Sequence, residues 1–159
     1  MITMSLPAFI KADDMRNLVN HFPQLLTLFE IDQITLDIIK EYSKREIKGI
    51  CFLGMGGSSI AGNYISALLS KEAQVPISVV RDYSIPAFVD QHWVVIAVSY
   101  SGNTEETITS LRNAKEVGAR IILMTSGGMM AQEEKHPLVL IPKGLQPRAT
   151  LPLMLSVAL

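Results

Sequence analysis

Cysteine, histidine, charge and long apolar runs are all scarce in this chain. The 159 residues hold one cysteine, Cys51, so no internal disulfide can form and a reducing compartment is expected. Cys51 sits in the apolar stretch Ile50-Cys51-Phe52-Leu53, where it reads as a small buried side chain rather than a nucleophile. Lys and Arg total 14 against 15 Asp and Glu, and charged residues make up only 18% of the chain. No basic run is present to track a phosphate backbone or an anionic bilayer. A small neutral or anionic ligand is therefore expected, with neither nucleic acid nor membrane as partner. No uninterrupted apolar run approaches the roughly 20 residues that span a bilayer. The opening Met1-Ile2-Thr3-Met4-Ser5-Leu6-Pro7 lacks the basic flank and apolar core of a secretory signal, which points to a soluble cytoplasmic protein. His21, His92 and His136 lie far apart with no ligand spacing, so no metal site is expected and each reads as a surface or hinge residue.

Apolar material is plentiful, at 48% of residues, enough for one well-packed domain and hardly enough for two. Residues 1–46 read as a helical lead-in. Asp13 and Asp14 favour a helix start through the helix dipole, and Pro23 punctuates the segment. Asp32 can cap a further helix whose apolar faces come from Ile34, Leu36, Ile38, Ile39 and Tyr42. From residue 48 the texture changes to short runs at residues 50–53, 77–80, 94–98, 121–124 and 138–141, nearly all apolar, as parallel strands covered on both faces require. Between them, residues 59–70 and 104–117 are of helix length, and Ile108, Leu111, Ala114 and Val117 recur three apart, near one face. This alternation predicts an α/β fold, a doubly wound parallel sheet of five strands over residues 47–159. The stretch Leu151-Pro152-Leu153-Met154-Leu155-Ser156-Val157-Ala158-Leu159 is apolar and stops without a cap or polar tail. A second domain or a partner subunit is expected to follow or cover it.

Two loops occupy the same structural position and carry unusual chemistry. Gly54-Met55-Gly56-Gly57-Ser58-Ser59 follows the first strand and opens a helix; its glycines allow a sharp turn and close approach to a ligand, and the free N–H groups of the helix start suit an anion. Ser99-Tyr100-Ser101-Gly102-Asn103-Thr104 follows the third strand and also opens a helix, offering three hydroxyls beside N-terminal amides, a neutral donor cluster suited to a phosphate ester. In a flavodoxin-like order the first and third strands are neighbours and their helices leave on opposite faces, so both loops would meet across one crevice at the strands' carboxyl ends. Each loop also has an ordinary structural account. The first is a common strand-to-helix turn, and in the second Asn103 with Glu106 resembles a capping box, which explains one or two of its residues but not all. Glu105 and Glu106 fit the first helical turn, at the positive dipole end, better than a catalytic role. A dinucleotide site would want a glycine where Ser59 stands, and Asp82, placed about where a ribose-binding acid would sit, follows Arg81; that rival is the weaker one. No phosphate-loop nucleotidase motif occurs.

Taken in order and spacing, Gly54-Met55-Gly56-Gly57-Ser58-Ser59-Ile60-Ala61-Gly62, Ser99-Tyr100-Ser101-Gly102-Asn103-Thr104-Glu105-Glu106-Thr107 and Gly144-Leu145-Gln146-Pro147-Arg148-Ala149 resemble the bifunctional phosphoglucose/phosphomannose isomerases built from sugar isomerase (SIS) domains. The Ser-x-Ser-Gly-x-Thr loop alone is shared by many SIS proteins, including sugar-phosphate-sensing regulators. The other two motifs narrow the likeness to the isomerase branch.

The resemblance implies that Ser99, Ser101 and Thr104 hold the phosphate and that Gly56, Gly57 and Ser58 contact the sugar. It implies that Arg148 lies near the C1 and C2 oxygens, where it steadies the oxyanion of a cis-enediol during aldose to ketose conversion. It also implies that a glutamate base, a histidine for ring opening and a lysine come from a second SIS domain, with the site completed across a dimer. This chain would then be the first half of a glucose 6-phosphate and mannose 6-phosphate isomerase. The alternative is a non-catalytic module that senses sugar phosphates. Proton transfer beside a carbonyl needs neither a nicotinamide nor a metal, so no cofactor is expected.

Overall fold

Carboxylates open two of the three lead-in helices in the computed structural model, which describes residues 8–10, 14–27, 31–133, 135–145 and 147–158, the side chains of 147, 148, 157 and 158 excepted. Asp14 accepts from the Asn17 amide at 3.1 Å and starts α1 (Met15–Asn20). Asp32 accepts from the Thr35 amide at 3.0 Å and starts α3 (Gln33–Ser43). Asp13 lies outside the described residues. Pro23 does not end a helix; it stands in the first turn of α2 (Phe22–Thr27), where no intrahelical N–H is needed. Only part of the expected apolar face of α3 packs. Thr35 is buried and Leu36, Ile39 and Tyr42 are half-buried, whereas Ile34 is 75% and Ile38 37% exposed.

The strands are β1 (Gly49–Leu53), β2 (Ile77–Val80), β3 (Trp93–Ser99), β4 (Arg120–Thr125) and β5 (Leu138–Leu140), all parallel, in the order β2-β1-β3-β4-β5. This is the doubly wound order, with the direction of winding reversing between β1 and β3. Ile50 pairs with Ile77 on one side and Val94 on the other, so β1 and β3 lie side by side as expected. Alternate residues serve opposite cores. Phe52, Val98, Met124 and Val139 face Ala61 and Ile65 of α4 (Gly57–Leu68), while Cys51, Leu53, Val95 and Ile121 face Leu111 and Ala114 of α5 (Glu105–Glu116). The two helices therefore leave on opposite faces of the sheet. Val117 departs from the expected row: it follows the last turn of α5, at the bend into Gly118, and is 41% exposed.

The apolar C-terminal stretch is helical. Leu151–Ala158 forms α6, and Leu153, Met154 and Leu155 are at most 2% exposed, packed in one core with Leu18, Leu25, Ala61 and Ile65. The lead-in and α4 cover these three side chains from within the chain. Each such side chain contributes about 1.5–3 kcal/mol by leaving water, enough to hold the short helices α1 and α2 in place. Among the described residues, no helix is long and apolar enough to cross a membrane.

Candidate functional site

Both unusual loops stand at the carboxyl ends of adjacent strands. Ser99 ends β3 and is 1% exposed, which aims its hydroxyl into the turn rather than into solvent. Its Oγ accepts from the Gly102 amide at 3.1 Å and lies 2.8 Å from Thr104 Oγ1 and 3.5 Å from Ser101 Oγ. Ser101 Oγ in turn accepts from the Asn103 amide at 3.2 Å. Three hydroxyls joined by two contacts have three protons for two bonds, so at least one O–H is not used between them. Thr104 is the N-cap residue of α5, yet its side chain makes no capping bond, and the hydroxyl stays with Ser99. The capping-box reading of Asn103 is corrected. Thr104 holds the N-cap position, so Asn103 stands one residue before it, and its Oδ1 accepts from the Met129 amide at 2.9 Å.

Gly102 explains how the turn is so tight. Its φ is 68°, and a Cβ there would stand 1.8 Å from the Gly127 carbonyl oxygen, so any other residue would force two backbones apart. The loop Thr125-Ser126-Gly127-Gly128 after β4 buttresses it, with Ser126 donating from both N and Oγ to the Tyr100 carbonyl at 3.0 and 2.6 Å. This third loop carries the same sequence signal as the first two, hydroxyls and glycine at the end of an apolar run, and its role shows only in the fold.

In the first loop Gly56, at φ 52°, precedes α4, whose N-terminal residues include Gly57 and Ser58. Ser58 donates its amide to the Met55 carbonyl at 3.0 Å, and Ser59, 3% exposed, returns its hydroxyl to the Gly56 carbonyl at 2.8 Å. Arg81, just beyond β2, donates from Nε to Ser59 Oγ at 2.8 Å and braces this turn. The sequence alone assigns Arg81 no such bracing role, although its place right after an apolar run, at a strand's carboxyl end, is an available signal. Lys143 is a second cation near the loops, its Nζ 3.4 Å from where a Cβ on Gly127 would stand. Asp82 makes a local contact, accepting from the Tyr83 amide at 2.6 Å.

The remaining expected residues divide. Burial pushes the Cys51 thiol up to about 12 and its exposure is 0%, which removes it as a nucleophile. Glu106 and Glu105 open α5 and raise the Tyr83 phenol above its ordinary range through their negative charge, so both carboxylates act on the loop after β2. Arg148 belongs to the short 3-10 helix Pro147–Thr150 after β5; its side chain and all of Gln146 lie outside the described residues. The segment that leads to it is nonetheless tied to the second loop. Tyr100 Oη donates to the Pro142 carbonyl at 3.0 Å and accepts from the Leu145 amide at 2.8 Å. Burial, the largest influence, raises the Tyr100 phenol above its ordinary range, so it stays protonated and donates at neutral pH.

This geometry has a family. The model of the SIS domain matches residues 45–156, which takes in the sheet, both loops and most of α6. The chain belongs to the SIS family. It is 41% identical over 122 residues to a bifunctional phosphoglucose/phosphomannose isomerase of Caldicellulosiruptor bescii, covering 75% of this chain and 36% of that protein. It is 38% identical over 107 residues to a D-glucosamine-6-phosphate 4-epimerase of Sulfolobus acidocaldarius, covering 65% of this chain and 33% of that one. Among solved structures, the NanR protein of Vibrio vulnificus complexed with ManNAc-6P superposes with a TM-score of 0.65 at 21% identity, over 89% of this chain and 57% of the other, a likeness of fold. The SIS chain described here spans roughly a third of the length of these curated relatives.

Proposed function

We propose that residues 47–159, preceded by the lead-in of residues 1–46, form the phosphosugar-binding first half of an enzyme that interconverts glucose 6-phosphate or mannose 6-phosphate with fructose 6-phosphate. One observation carries this: the hydroxyls of Ser99, Ser101 and Thr104 cluster at the end of β3 with a proton to spare, beside the turn of Gly56, Gly57 and Ser58 at the end of β1. In this reading the three hydroxyls and the amides of α5 hold the phosphate, and the first loop meets the sugar. Arg148 polarises the C1 and C2 oxygens as a proton moves between those carbons through a cis-enediol. The base, the ring-opening histidine and a lysine would come from a second SIS domain, with a dimer completing the site. Neither a metal nor a nicotinamide has a step in this chemistry.

The test is calorimetric titration of the 159-residue chain with glucose 6-phosphate, followed by a coupled isomerase assay. Changing Ser101→Ala and Thr104→Ala together removes two donors to a charged group and weakens binding by about 1.5–3 kcal/mol each. The chain alone binds without turnover, because a base must come within about 3 Å of the C1 and C2 protons and Glu105 and Glu106 stand beside the phosphate end. Unchanged binding in the double variant would place the ligand elsewhere. Turnover by the chain alone that vanished on changing Glu105 or Glu106 would move the base into this domain.

A further inference from the structure

We propose that Tyr100 is a positioning residue: its phenol sets the Arg148-bearing segment against the phosphate loop, so that a phosphosugar held at one end is met correctly at the other. This deepens the function proposed above and rests on it. Tyr100 lies between Ser99 and Ser101, and its backbone carbonyl is held by Ser126 from below. Its side chain leaves the loop and spans 42 and 45 residues of sequence to reach the Pro142 carbonyl and the Leu145 amide. Those bonds fall on residues that follow β5 and precede the 3-10 helix Pro147–Thr150 in the chain. Leu145 is itself anchored in the core at 5% exposure, so the phenol fixes a segment already pinned on one side. A residue that only filled space there would have no use for an oxygen that both donates and accepts. A link from phosphate loop to arginine loop is what a two-ended ligand requires, since a small error in placement at a reacting centre is expensive.

The test is calorimetry on the chain with two ligands, fructose 6-phosphate and inorganic phosphate, using Tyr100→Phe, Arg148→Ala and the double variant. Phe keeps the ring in place and removes both bonds. Tyr100→Phe weakens fructose 6-phosphate about fivefold, the worth of a neutral hydrogen bond, and leaves inorganic phosphate within about twofold. In the Arg148→Ala background the same change has no further effect on fructose 6-phosphate beyond about twofold, because the residue it positions is gone. Hydrogen exchange reads the same contact without a variant: fructose 6-phosphate slows exchange at the Leu145 amide and inorganic phosphate does not. Equal losses for both ligands, or a Tyr100 penalty that persists undiminished without Arg148, would overturn the proposal while leaving phosphosugar binding intact. A chain that binds neither ligand, or binds fructose 6-phosphate regardless of Ser101→Ala and Thr104→Ala, would overturn the functional reading and this inference with it.

Discussion

At the amino ends of the strands one buried cation meets four carbonyl oxygens; at the carboxyl ends three hydroxyls meet mostly each other. Arg120, the first residue of β4 and 8% exposed, donates to the carbonyls of Tyr42 at 2.7 Å, Arg45 at 3.4 Å, His92 at 2.9 Å and, closest, Glu46. It thereby bonds carbonyls at the C-terminal end of α3 and in the chain entering β1 and β3, and of its own nitrogens only Nε is left without a partner. Its hydrogen bonding is consumed by the fold. Ser99, Ser101 and Thr104 keep a proton unspent, beside a glycine turn that leaves room next to the backbone. Polar groups at the two ends of a parallel sheet are thus told apart by whether they are used up: the closed set holds the protein together and the open set is free to hold something else.

Breaking the closed end has the largest effect. Arg120→Met strands several buried carbonyls at once, and a loss of about 3–5 kcal/mol in urea unfolding is expected, with fructose 6-phosphate affinity unchanged in whatever fraction stays folded. Lys at this position restores little, since an ammonium lacks the fork that reaches separate carbonyls. A variant within 1 kcal/mol of the parent, on the order of a surface change, would dissolve the distinction between the two ends. At the open end Gly102→Ala costs about 2–4 kcal/mol, as the left-handed φ and the approach to Gly127 both resist a side chain, and it abolishes phosphosugar binding. Stability lost with binding retained would mean that this loop is a turn and nothing more.

The smallest effect contrasts the buried cap of α3 with its exposed one. The Thr35 amide holds the Asp32 carboxyl below the usual range of 3.8. A carboxylate depressed in the folded state lends stability that is complete above its unfolded value and fades as pH falls through the folded one. Unfolding midpoints taken from about pH 6 down to about pH 3 should therefore decline slightly more for the parent than for Asp32→Asn, which still caps but does not titrate. Asp32→Ala costs about 0.5–1 kcal/mol near neutral pH, well under the Arg120 change. Equal declines for the parent and the Asn variant would remove Asp32 from the pH account.

Much of the carboxyl end was legible beforehand because its signals are local. A parallel strand buried on both faces must be apolar throughout, which is why the strands showed as runs separated by helix-length segments. The turns between them need glycine and small hydroxyls, so Gly56, Gly57, Ser58, Ser99, Ser101 and Thr104 stood out by type alone. The loop after β4 and Arg81 carried similar marks but act through contacts 22 to 26 residues away, as Arg81 does on Ser59 and Asn103 on Met129. The resemblance of Asn103 to a capping residue fails for the same reason: sequence spacing cannot tell a helix amide from a neighbouring turn's amide.

By itself the sequence determined the parallel α/β class, the position of both loops at strand ends and the type of donor they offer, since each follows from local periodicity and residue chemistry. Only the tertiary structure decided what covers α6, which apolar residues of α3 are buried, and what Arg120 and Tyr100 do. Those outcomes depend on groups far apart along the chain, from the lead-in lying over Leu153 and Met154 to a guanidinium 74 residues beyond the carbonyl of Glu46 that it satisfies. Burial and hydrogen-bond satisfaction are set by distance in space, and a chain's order of residues does not state that distance until it has folded.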